Sequence, residues 1–182
     1  YTTLFRSTFD FDINQVSITD ERKKAVDFSS GYYDVAQTVI TVKGSKIANA
    51  KSIADLKGAK LGAQVGTTSY DTIKNVIAPT VDPAVFDTND VAKQALSNGQ
   101  IDGLVVDLPT AFYITAVDLS NGLIVGQFPA KAGGEQFGLV LSKGSKLTKD
   151  VTKAVDTLRA NGTLAKIADQ WLATTVGAPV LK

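Results

Sequence analysis

Cysteine, methionine and histidine are absent from all 182 residues. Without Cys the chain has no disulfide and no thiol chemistry, and that absence fits an exported location and a cytosolic one equally. Without His, no Ser-His-Asp or Cys-His arrangement and no imidazole metal site can be built within the chain, which removes the commonest hydrolase and zinc readings. An excess of one charge is missing as well. Nineteen basic residues stand against eighteen acidic ones for a formal +1, and no basic tract is long enough to follow a phosphate backbone, so no nucleic acid partner is expected. No apolar run approaches the roughly 18 residues that span a bilayer, and the opening YTTLFRST lacks the positive end and apolar stretch of a signal peptide. A chain that does not open on Met reads as a processed or truncated product. No cofactor and no metal are expected.

What is present is an ordinary globular composition, 44% hydrophobic and 20% charged, long enough for one large domain or two small lobes. Apolar β-branched runs alternate with amphipathic ones, the pattern of an α/β fold with a largely parallel sheet. The runs predict strands at Phe11–Val16, Thr38–Val42, Lys60–Gln64, Ala84–Asp87, Asp102–Val106, Leu123–Gln127 and Gln136–Leu141. Helices are expected at Ser52–Leu56, Thr68–Ile77, Asp90–Ser97, Pro109–Val117, Lys146–Ala160 and Thr163–Leu172. In the last two, Val151, Val155 and Leu158, then Leu164, Ile167, Ala168 and Trp171, recur at helical spacing, so each is expected to bury one stripe. Asn161-Gly162 marks the stop where one helix gives way to the next. Gly31-Tyr32-Tyr33-Asp34 and Gly126-Gln127-Phe128-Pro129 read as hinges. They divide the chain into a discontinuous outer lobe, 1–35 with 127–182, and a continuous inner lobe, 36–126.

Ligands of open α/β sheets bind beyond the carboxyl ends of strands, where helices begin. Three segments qualify. Ser17-Ile18-Thr19-Asp20 reads as a helix start with Arg22 just beyond it; a guanidinium there makes a bidentate carboxylate clamp, and the alternative is a capped surface turn with a solvated Arg. In GAQVGTTSYDTI, Gly66 allows a tight turn and Thr67, Thr68 and Ser69 offer hydroxyls to an anion, or Thr simply caps the helix. In QIDGLVVDLPTAF, Asp107 ends a strand just before Pro109 and can hold an ammonium group or cap the helix that follows. One cation, two donor-rich turns and one carboxylate complement a zwitterion.

Four ordered stretches, SITDERKKAVDFSSGYY, DLKGAKLGAQVGTTS, AKQALSNGQIDGLVVDLPTA and FGLVLSKGSKLTKDVTKAVDTLRANGTLAKIADQW, closely resemble the polar amino acid-binding proteins of ABC transporters, the type II periplasmic solute-binding proteins. The resemblance implies two α/β lobes joined by a two-crossing hinge, a periplasmic or extracytoplasmic location beside the membrane, and a small polar amino acid and a transporter permease as partners. It places Arg22 on the ligand carboxylate with groups around Ser17, Thr67 and Thr68 assisting. It places Asp107 on the ammonium with help from Asn14 or Gln15, and Ser69 near the ligand side chain. Members of the family begin with a further strand-helix-strand and a GFDVDL-like motif, whereas here Tyr1 falls inside the helix that precedes Phe11. A first lobe shortened in this way is expected to self-associate through its uncovered face. Asp12, inside an otherwise apolar strand, is expected to face the ligand or pair with a Lys, because an unpaired buried carboxylate is costly. Two other readings stand beside the binding protein: a dimerising interaction module, and an enzyme recruited from the same scaffold. The enzyme would be a carboxylate-based, dehydratase-like lyase using Asp107, Asp12 or Lys23.

Overall fold

The computed structural model describes residues 9–129, 134–172 and 178–182. In chain order its elements are β1 (Phe11–Asp12), α1 (Asp20–Ala25), β2 (Val26–Phe28), β3 (Tyr33–Val35), β4 (Gln37–Val42), β5 (Leu61–Gln64), α2 (Thr68–Thr72), β6 (Ala84–Phe86), α3 (Asn89–Ser97), β7 (Gly103–Asp107), α4 (Leu108–Tyr113), β8 (Gly122–Gln127), β9 (Glu135–Phe137), β10 (Val140–Ser142), α5 (Thr148–Ala160) and α6 (Thr163–Leu172). The helices α2 and α4 each run on into a wider π-helical turn, Ile73–Ile77 and Ile114–Asp118. Two compact units result: unit 1 is Tyr1–Val35 with Lys131–Thr174, and unit 2 is Ala36–Ala130 with Thr175–Lys182.

Unit 2 is built on one sheet in the order β6-β5-β7-β4-β8. Both faces are covered. Val39, Leu61, Ala63 and Val105 pack with Ile73, Ile77, Phe128 and Leu181 on one side. Ile40, Leu104 and Val106 pack with Ala92, Leu96, Ala111 and Ile114 on the other. Adjacent residues of β4 thus enter opposite cores, which is why its sequence is a continuous apolar run rather than an alternating one. The sheet is largely parallel, as expected, with one strand reversed: β7 and β8 are both antiparallel to β4 and so run in one direction with β5 and β6. The reason is connectivity: α2, α3 and α4 each carry the chain across from one strand to a strand of the same direction, β5 to β6, β6 to β7 and β7 to β8, whereas no such crossover leads into β4, the first strand of the unit.

The outer lobe was expected to take in 127–182, but 127–129 and 178–182 belong to unit 2. Val180 bridges Gln127 in parallel, Gln127 N–H donates to Pro179 O at 2.8 Å, and Leu181 is fully buried. A side chain fixed in that core carries the terminal segment with it. Gly126 makes the approach possible, since a Cβ there would stand 2.8 Å from Pro179 O.

Unit 1 has a three-stranded antiparallel sheet, β1-β10-β2, and a two-stranded one, β3-β9. Its core of Val16, Val26 and Val140, with Phe28 against it, is small. The expected strand Phe11–Val16 shrinks to two residues because the chain turns at Asn14, whose carbonyl accepts Val16 N–H at 2.8 Å. Gln136–Leu141 divides into β9 and β10 around Gly138, where Ile18 packs so closely that a Cβ would meet it at 2.8 Å. β2 and β3, each with an Asp at its centre, fall outside the runs that predict strands. Of the stripe on α5 only Val155 is buried. On α6 nothing is buried among the described residues, with Ile167 49% and Trp171 72% exposed. Helical spacing predicted burial there, but it does not itself supply a partner surface.

Candidate functional site: two polar clusters

The first cluster lies in unit 1. Thr19 is in extended conformation before α1 and its hydroxyl accepts Arg22 N–H at 3.2 Å, the capping role that its position in Ser17-Ile18-Thr19-Asp20 suggested. Ile18 N–H donates to Gln136 O at 2.8 Å and Gly138 N–H to Val16 O at 3.1 Å, so the loop ahead of α1 is sewn onto the β9 segment. That backbone is the platform for Arg22, whose Nη1 donates to Ser17 O at 2.8 Å. Ser17 itself is buried, and its hydroxyl donates to Glu135 Oε1 at 2.5 Å. The proton of Ser17 is therefore directed at a neighbouring carboxylate. Asn14 and Gln15 are exposed in the same unit; Asn14 Oδ1 accepts Gln15 N–H at 2.9 Å, and Asn14 O accepts the Tyr32 hydroxyl at 2.7 Å. Asp12 is half-buried in the short β1, and among the described residues no ion pair holds it. Its pairing with a Lys is thus corrected: β1 is two residues long and paired only with β10 among the described strands, so the carboxylate keeps solvent on one side.

The second cluster lies in unit 2. At the end of β5 the chain turns through Gly66, whose φ of +69° belongs to the left-handed region that glycine enters without a Cβ penalty. Thr67 caps α2: its hydroxyl accepts Tyr70 N–H at 3.2 Å and donates to Gln64 O at 2.7 Å. Of the two uses left open for this turn, the cap is what Thr67 serves. The next two residues have a different partner. Gln37, 6% exposed at the start of β4, donates through Nε2 to Thr68 Oγ1 at 3.2 Å and accepts Ser69 Oγ–H on Oε1 at 2.7 Å.

Gln37 also stands directly opposite Asp107 in the antiparallel β4–β7 ladder. Facing residues in such a ladder project to the same side of the sheet. Asp107 caps α4, with Oδ1 accepting Thr110 N–H at 3.0 Å and Oδ2 accepting the Thr110 hydroxyl at 3.0 Å. Thr68, Ser69 and Asp107, which arrive from separate stretches of sequence, are gathered at one end of the unit 2 sheet by Gln37. Sequence reasoning missed that residue. Its signal was an amide opening an otherwise apolar run, which a strand of that kind does not need for packing.

In unit 1 the structure brings together Ser17 and Arg22, and in unit 2 Thr67, Thr68, Ser69 and Asp107. Asn14 and Gln15 belong to unit 1 and Asp107 to unit 2. Chemically, unit 1 offers a guanidinium anchored by a backbone carbonyl, and unit 2 offers a carboxylate with two hydroxyls tied to one amide. Among the described residues, no group of three or more Asp or Glu side chains is arranged to hold a metal, and no helix is long and apolar enough to cross a membrane.

Known proteins carry the same plan. The glutamine-binding ABC transporter protein GlnH of Bacillus subtilis is 33% identical over 159 residues, 86% of this chain and 55% of its own length. The L-cystine-binding protein TcyJ of Escherichia coli is 30% identical over 168 residues, 92% of this chain and 61% of its own. Among solved structures, an ancestral arginine-binding protein bound to glutamine superposes with a TM-score of 0.75 at 36% identity, covering 90% of this chain and 71% of that one. The chain thus spans less than two thirds of the length of these curated relatives. The model of the bacterial extracellular solute-binding proteins, family 3, matches residues 1–174. With that match running through both polar clusters, the chain belongs to the bacterial extracellular solute-binding proteins of family 3.

Proposed function

We propose that this chain recognises a polar amino acid for uptake by an ABC transporter. In this reading Arg22 takes the α-carboxylate and Asp107 takes the α-ammonium. The observation that carries the reading is the placement of Asp107 at the same sheet end as the paired hydroxyls of Thr68 and Ser69. A structural cap needs the Asp107 carboxylate but not the hydroxyl pair held beside it. Thr68 assists at the carboxylate and Ser69 lies towards the ligand side chain. Thr67, spent on its cap, shapes the turn. Ser17 contributes through its backbone carbonyl, which aims Arg22, and Asn14 and Gln15 flank the unit 1 cluster. The ligands named for the relatives, glutamine, cystine and arginine, define the class to be tried.

The partners and location follow from the same reading. The binding protein works outside the cytoplasm, delivers to a transporter permease and reaches the membrane through it. Self-association belongs to the proposal because unit 1 exposes Phe11 and Ile13 at the short strand β1, and Ile167 and Trp171 on α6. Open strand edges and apolar patches of that kind invite another chain. If copies assemble this way, dilution lowers the melting temperature by mass action, and Trp171→Ser removes that dependence. A melt that does not change with concentration refutes it. The binding reading is tested by denaturing protein purified under native conditions and identifying the released solute. One polar amino acid near one equivalent supports it. A solute without an amino acid group refutes it.

A further inference from the structure

We infer that Gln37 is a positioning residue for solute binding: its buried amide fixes the hydroxyls of Thr68 and Ser69 beside Asp107. The inference rests on the amino acid-binding reading and adds a residue to it. A primary amide has two chemically different ends, one accepting and one donating. Here both are spent on consecutive residues of one turn, Oε1 receiving Ser69 Oγ–H at 2.7 Å and Nε2 donating to Thr68 Oγ1 at 3.2 Å. Gln37 is 6% exposed and Ser69 7%, so water does not compete freely for these bonds. Low-dielectric surroundings make such bonds stronger and their loss more costly.

The anchor of the amide is itself rigid. Gln37 lies in β4 opposite Asp107, and its backbone carbonyl accepts Phe128 N–H at 2.9 Å. Thr68 and Ser69, by contrast, sit in the first turn of a short helix that follows an exposed, glycine-containing turn. Helix starts of that length hold their shape mainly through tertiary contacts. The strand therefore sets where the two hydroxyls stand, and it does so from the residue facing Asp107. Ser69 has one hydroxyl proton, and it is committed to Gln37; towards anything else Ser69 Oγ acts as an acceptor. No apolar residue and no ionised carboxylate reproduces this pattern. A carboxylate lacks the donor that Thr68 Oγ1 receives. A protonated carboxyl has a donor end and an acceptor end, as the amide does.

The test uses calorimetric titration of the whole chain with L-arginine, L-glutamine and L-cystine, followed by variants with whichever of these binds the wild type most tightly. Gln37→Leu is expected to weaken binding about tenfold, the loss typical when one hydrogen-bonding group leaves its place. Adding Gln37→Leu to a Thr68→Val/Ser69→Ala variant is expected to weaken binding no further, because Gln37 acts through those two hydroxyls. Gln37→Glu supplies an arm that does not depend on the apolar variant folding. Relative to wild type at the same pH, its affinity is expected to fall at about pH 8 and to recover near pH 5, where a carboxyl in a buried site holds its proton. A general loss of stability would not produce that recovery in folded protein. Gln37→Leu affinity within about twofold of wild type, full additivity with Thr68→Val/Ser69→Ala, or a pH-independent loss in Gln37→Glu each overturns the role of Gln37 while leaving amino acid binding intact. Failure of the wild type to bind any of the three solutes overturns both readings together.

Discussion

Replacing Asp107 by Asn separates the two things this side chain can do. In the folded chain Oδ1 accepts Thr110 N–H and Oδ2 accepts the Thr110 hydroxyl, each at 3.0 Å. Asparagine caps helices about as well as aspartate, so its remaining oxygen keeps the bond to Thr110 N–H, and the Thr110 hydroxyl can turn to accept from the new amide. What the cap loses is the negative charge at the head of α4, about 0.3–1 kcal/mol. In a chain of this size that lowers the melting temperature by only about 1–4 °C. An ammonium group loses more. A hydrogen bond to a charged group contributes about 1.5–3 kcal/mol, which at about 1.4 kcal/mol per decade is about 10- to 150-fold in affinity. The assay is paired calorimetry on wild type and variant with L-arginine and its des-amino analogue, alongside thermal melts. Binding of the amino acid should collapse towards that of the analogue while the melt barely moves. Equal loss for both compounds, or a melt that falls by far more than the cap accounts for, would show that Asp107 only holds α4.

Three further outcomes follow from particular contacts. Arg22→Lys should weaken amino acid binding at least about tenfold, because an ammonium cannot both keep the bond to Ser17 O and grip a carboxylate through two parallel N–H groups; calorimetry showing unchanged affinity would make Arg22 a surface residue. For Asp27, burial by itself would raise the carboxyl, but bonds from Lys143, Gly144 N–H and the Thr148 hydroxyl outweigh it and hold the group below its ordinary value. A lowered folded value means stability that is present above the unfolded value of about 3.9 and is lost as pH falls through the folded one. Melts of Asp27→Asn should therefore start lower at neutral pH and fall less on acidification than those of wild type; parallel curves would refute the assignment. Gly126→Ala should cost about 1–3 kcal/mol, because its methyl group would press on Pro179 O and Leu181; denaturant unfolding within error of wild type would mean that the terminal segment yields without cost.

Much of unit 2 could be read directly because a strand covered on both faces leaves an unbroken apolar run. β4, β5, β7 and β8 all lie within two residues of where the runs placed them. Asp107 and Thr67 were legible as caps from their place just before a helix. Harder to see were β2 and β3, where Asp27 and Asp34 interrupt the pattern. Asp27 answers to Lys143, Gly144 and Thr148, and Asp34 to Gln136, partners more than a hundred residues away in sequence. The direction of β4 was hidden for a related reason. A run of Val, Ile and Thr is the same read forwards or backwards, and only the route of the chain between the two units decides it. Gln37 shows the limit most clearly. Its type and position were in plain view, but its meaning lies in Thr68, Ser69 and Asp107, which meet it only in the folded sheet.

One titration series decides whether the chain grips an amino acid by both charged ends, as proposed. L-Arginine, L-glutamine and L-cystine are each titrated into the protein, and the tightest is then compared with its methyl ester and its N-acetyl derivative. Saturable one-to-one binding that is lost with either modification is the predicted result. Binding that survives removal of the carboxylate or ammonium charge, or no binding of any of the three, would contradict it.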